Sequence, residues 1–143
     1  MSSIGFAQEF KVITIVESIV PGGIGRSRII ENQGTVDIEA LTTEREGDKS
    51  NSGKVKRSDL KDVGDNLKET KLLNFYSMVG IQFGNIASND AVIGAKINKM
   101  IKDGWKLTFV VSAVESDAGK ISGRDVNGGD GEGIFITRLF FSK

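Results

Sequence analysis

Residues 9–20, EFKVITIVESIV, open the readable part of the chain with an uninterrupted β-branched and aromatic run. Phe10, Val12, Val16 and Val20 fall on one face at period two, and Ile13, Ile15 and Ile19 on the other, which predicts a strand apolar on both sides. Pro21, Gly22 and Gly23 stop it, because proline donates nothing to a ladder and glycine tolerates positive φ. A shorter strand over 26–31 returns antiparallel to the first, and a third is expected near 35–43. Residues 44–71 are more than half charged and read as a long solvated excursion. Within it Leu60, Val63 and Leu67 follow Ser58 at helical spacing, so a short helix capped by Ser58 and weakened by Gly64 fits there.

Residues 72–86 return to an apolar register and predict one strand, broken or bulged at Gly80 or Gly84. The main helix is expected over about 89–103. Ser88 or Asn89 caps it, Asp90 suits its positive end, and Val92, Ile93, Ile97, Met100 and Ile101 form one apolar stripe. Lys99 and Lys102 sit near the negative end, and Gly104 stands just past the last turn. A strand follows at once over 105–115, with Trp105, Leu107, Phe109, Val111 and Ala113 on one face and Val110 and Val114 on the other. A glycine- and aspartate-rich loop spans 116–132, and GIFITRLFF at 133–141 closes the chain as a last strand, again apolar on both faces. The expected fold class is α+β: an antiparallel sheet of about four to six strands with one main helix packed on one face, all in one domain over 9–143.

Helix, Gly104, Trp105, Lys106, Leu107, strand, loop and a strand ending in Phe140 and Phe141 resemble a family of small bacterial domains that carry a Gly-Trp-Glu-Leu signature between a helix and a strand. Lys106 stands where that family usually shows glutamate. The resemblance covers 9–20 and about 89–143; it implies a compact β-α-β-β unit and no activity, since the family has no assigned function or catalytic residues.

Composition narrows the chemistry. The 143 residues contain neither cysteine nor histidine, which removes disulfides, thiol nucleophiles, Cys or His metal sites and every Ser-His or Cys-His pair. Nineteen basic residues balance nineteen acidic ones, so no global field draws the chain to nucleic acid or an anionic membrane, and no apolar run is long enough to span one. The basic stretch Lys54, Val55, Lys56, Arg57 is offset by Asp59, Asp62 and Asp65. Trp105, Tyr76, Phe75, Phe83 and Phe109 read as core aromatics. Residues 1–8 look like the end of a secretory signal peptide, with small Gly5 and Ala7 and cleavage after Ala7; this predicts a periplasmic or secreted protein, the alternative being cytoplasmic.

Three constellations remain. Gly22, Gly23, Gly25, Arg26 and Arg28 can present backbone N–H groups and two guanidiniums to a phosphate, nucleotide or carboxylate, the plainer reading being a hairpin turn with solvated arginines. The spacing Val16, Glu17, Ser18 then Gly25, Arg26 recurs as Val114, Glu115, Ser116 then Gly123, Arg124. If the two strands are neighbours, Glu17, Glu115, Arg26 and Arg124 converge at one sheet end, as an ion-pair cluster or as acid–base machinery. Asp125, Asn127, Asp130 and Glu132 offer hard oxygens but break the EF-hand pattern. No nucleophile stands with its base, and no cofactor or metal motif occurs. A helix of about 14 residues, roughly 21 Å long, covers one face of a sheet whose strands are oily on both. The expected role is therefore a non-catalytic structural or protein-interaction domain that forms homo-oligomers through the uncovered face. The alternative is a small module for an anionic ligand at the 21–28 loop.

Overall fold

A computed structural model of the chain describes residues 8–19, 26–35, 37–50, 56–115, 120–121, 124–125 and 133–143. Its elements are β1 (Phe10–Ser18), β2 (Arg28–Asn32), α1 (Ile38–Leu41), β3 (Arg45–Glu46), β4 (Lys49–Ser50), α2 (Arg57–Asp65), β5 (Leu67–Lys71), β6 (Tyr76–Ser77), β7 (Gly80–Ile81), α3 (Phe83–Lys102), β8 (Lys106–Glu115), β9 (Lys120–Ile121), β10 (Arg124–Asp125) and β11 (Ile134–Ser142). Five strands form one antiparallel sheet in the order β5-β2-β1-β11-β8. The α+β architecture with one main helix is as expected.

The chain divides into two compact units, 1–30 with 69–143, and 31–68. The first holds the core. Register pairs Ile13 with Leu139, Lys11 with Phe141 and Ile15 with Ile29, which places these residues on one face, termed inner below. Ile13, Ile15, Ile29, Leu139 and Phe141 are buried there with Leu72 and with Met100 of α3; Val92, Ile93, Ile97, Trp105 and Leu107 pack around them. Each fully buried side chain of this size contributes roughly 1.5–3 kcal/mol. The helix stripe is thus as expected except at its end, where Ile101 is exposed.

The helix is also longer, at 20 residues, and begins at Phe83 instead of near 89. Neither Ser88 nor Asn89 is its cap. Gln82 stands there without a side-chain cap bond, and Gly84 lies inside the helix. The expected strand over 72–86 is instead a tight hairpin, with Tyr76 opposite Ile81 and Ser77 opposite Gly80, whose φ of 120° needs glycine. The helix ends as expected at Gly104, φ 92°. Its N–H reaches the Ile101 carbonyl and the Trp105 N–H the Met100 carbonyl, both at 3.0 Å, so the last carbonyls are satisfied and the chain turns directly into β8.

In the second unit, the strand expected near 35–43 is replaced by α1. Asp37 caps it, its Oδ1 accepting the Glu39 N–H at 3.1 Å, which ends any extended run. The charged excursion is not wholly irregular. It holds the β3–β4 hairpin and α2, which starts at Arg57 and so includes Ser58 instead of being capped by it. Its last residues form β5, an edge strand of the sheet, where Lys68, Glu69 and Lys71 are tolerated because an edge leaves side chains in water.

Candidate functional site

The register that buries one face exposes the other. Across β1, β11 and β8 the outer rows read Val12, Phe140, Phe109; Thr14, Arg138, Val111; and Val16, Ile136, Ala113. Phe10, at the start of β1, is 59% exposed, Val12 41%, Phe109 49% and Val111 53%. The Phe109 and Phe140 rings stack with centroids 4.3 Å apart. Val111, Ala113, Ile136, Arg138 and Phe140 line a shallow depression of about 160 Å³, smaller than the roughly 300–1,000 Å³ of ordinary ligand clefts. It has room for a protruding side chain. Arg138 is exposed at its centre, and no carboxylate among the described residues pairs with it. Phe109 is therefore a surface aromatic and not a core one, and so is Phe83, which is exposed with Met78 and Val79 at the β6–β7 turn.

The face assignment of β8 differs from the alternation expected for an unbroken strand. Leu107 pairs with Phe141 and Phe109 with Phe140, so Thr108 is an extra residue and the parity flips there. Leu107 consequently packs inward while Phe109, Val111 and Ala113 share the outer face. α3 does not cover the far inner edge either: Val110 and Val114 are half exposed.

Glu17 and Glu115 do stand at the same end of the sheet, but they do not converge. β11 separates their strands by two spacings, about 10 Å, and register sets Glu17 opposite Phe135, on the inner side, and Glu115 opposite Ile134. Glu17 instead neighbours the first half of α3. Partial burial, and secondarily the nearby Asp90 charge, push its carboxyl above the usual range, while a hydrogen bond from Asn89 pulls it down. Asn89 is itself buried and is occupied with the backbone, accepting the Leu73 N–H and donating to the Leu73 carbonyl, each at 2.8 Å. Nothing in this group resembles a nucleophile with its base.

Of the proposed anion loop, Gly22, Gly23 and Gly25 lie outside the described residues, as do Asn127, Asp130 and Glu132; only the strand positions of Arg124 and Asp125 are described. Arg28 is not free for a ligand, since its Nη1 meets Glu69 Oε1 at 3.0 Å and its Nε donates to the Arg26 carbonyl. Arg26 differs: its Nη1 is buried without a hydrogen-bond partner among the described residues. Among the described residues no three acidic side chains gather as a metal site would need, and no helix is long and apolar enough to cross a membrane. No family model, curated protein or solved structure matches the chain.

The exposed outer face is the feature that strand alternation alone could foresee in kind. Its composition depends on the bulge at Thr108, which no glycine or proline marks in the sequence.

Proposed function

We propose that the chain is a non-catalytic protein-interaction domain that associates with copies of itself through the outer face of its sheet. One observation carries this reading: Phe10, Val12, Phe109 and Val111, all half exposed, lie on one side of three adjacent strands. Scattered apolar residues on a surface need no explanation, but a contiguous set rimmed by polar groups is characteristic of an interface. Covering it removes apolar area from water at roughly 25 cal/mol per Å² before association costs are subtracted. The test is Val12→Lys. It places an ammonium in the face at a position with open space, so the fold survives and the contact through this face is lost. An oligomer unaffected by Val12→Lys would contradict the reading.

A second reading, a module for a small anion, draws support from Arg26 alone, whose buried Nη1, without a partner among the described residues, has the chemistry to hold a phosphate or carboxylate oxygen. Phosphate should then raise the melting temperature and Arg26→Ala should abolish the rise. No shift at millimolar phosphate would dispose of it.

A further inference from the structure

The two edges of the sheet are protected very differently. β5, at one end, is five residues long and carries Lys68, Glu69 and Lys71, the charged short strand that discourages edge pairing. β8, at the other end, is ten residues long, and from 107 to 114 it has no charge, no proline and no glycine. Among the described residues its only strand partner is β11, so the backbone groups pointing the other way have no strand partner there. Val110 and Val111, on opposite faces, are each about half exposed, which leaves both sides of the edge accessible. An apolar strand of this length, paired on one side only among the described residues, is a template for another strand.

We propose that the occupant is β8 of a second copy, paired antiparallel about a two-fold axis through Val111 to make one continuous sheet. Two features select this partner and register. The strand begins with Lys106 and ends with Glu115, so antiparallel self-pairing brings the basic start of each copy to the acidic end of the other, whereas parallel pairing opposes like charges. A two-fold axis perpendicular to the sheet must also match inner with inner and outer with outer positions. Centring on Val111 satisfies this, setting Phe109 against Ala113 and Val110 against Ser112, large against small. Counting past the extra residue at Thr108, the same register meets Lys106 with Glu115. Centring on Val110 leaves Lys106 against Ala113, with no charge partner.

This edge joint rests on the self-association proposed above and is a second contact beside the outer-face one; Val12→Lys removes the face contact and leaves the edge-joined pair. The joint is tested by single thiols, because the chain has no cysteine of its own. Directly opposed residues in antiparallel strands have Cα atoms about 4.5–5.5 Å apart, within the span of a disulfide. Mild oxidation should convert most of Val111→Cys to a covalent dimer and leave Val12→Cys, three strands from the joint, monomeric on a non-reducing gel. Lys106→Glu alone should weaken dimerisation about fivefold or more, and adding Glu115→Lys should restore it. Cross-linking of Val12→Cys but not Val111→Cys would overturn the edge joint while leaving a self-associating face. A protein monomeric by light scattering, with neither thiol cross-linking, would overturn both. Failure of the double charge swap to restore dimerisation would overturn the register.

Discussion

Asn89 holds Leu73 by both of its backbone polar groups, its Oδ1 accepting the N–H and its Nδ2 donating to the carbonyl, each at 2.8 Å. The amide side chain thus imitates a neighbouring strand and ties the segment after β5 to the flank of α3. Asn85 extends the same tie, donating to the Asn74 carbonyl at 2.8 Å. These contacts fix the uncharged segment between β5 and the β6–β7 hairpin beside the core.

Asn89→Ala removes both bonds and leaves two partly buried backbone groups to find water. An unmet buried group costs about 1–3 kcal/mol, so the variant should lose about 2 kcal/mol or more in urea denaturation. A midpoint identical to that of the parent protein would show that the clamp contributes nothing.

Glu17 gives the fold a pH dependence of definite sign. Its carboxyl is raised in the folded chain, chiefly by burial and then by Asp90. A carboxyl with a higher pKa folded than unfolded supports folding while protonated, and that support fades as pH rises through the folded value. Glu17→Gln should therefore melt higher than the parent near pH 7 and almost equally near pH 4. A variant less stable than the parent at neutral pH would mean that the ionised carboxylate is needed.

The stripe of α3 separates buried from wet positions within one turn. Ile97 packs against the core, whereas Ile101 is 53% exposed. Ile97→Asp puts an unpaired carboxylate between helix and sheet and should unfold the domain at room temperature; Ile101→Asp should cost less than about 1 kcal/mol. Circular dichroism melting curves check both. Equal effects would contradict the packing described.

Arg138 interrupts the apolar outer face with a charge that nothing among the described residues neutralises. A charge placed in an otherwise sticky sheet limits how tightly that surface associates. Arg138→Leu should tighten self-association about tenfold by sedimentation and lower solubility. Weaker association would show that Arg138 is a contact and not a brake.

Several of these features were legible from residue order and others were not, for local reasons. The boundary at Gly104 and Trp105 was readable because a helix stripe, a glycine and a β-branched run meet there, and the structure puts Gly104 at a positive φ. The helix start was not. Gln82, Phe83 and Gly84 carry no capping side chain and continue an apolar run, so strand and helix look alike until Asn89 is seen gripping Leu73. Asp37 capping α1 was hidden in a stretch of mixed polarity. The Glu17 and Glu115 pairing failed because β11, the last strand in the chain, inserts between β1 and β8. Two apolar sheet faces were visible in the sequence; the bulge that sorts Phe109 and Val111 onto the outer one was not.

The most direct test is the mass of the intact protein in solution, measured by sedimentation from micromolar to millimolar concentration, alongside Val12→Lys. The parent chain should sediment as a multiple of its 15.4 kDa protomer, and the lysine variant should fall to a smaller multiple, the pair joined at β8, with an unchanged fold. A parent protein that remains at 15.4 kDa throughout that range would contradict a sheet built to meet its own copy.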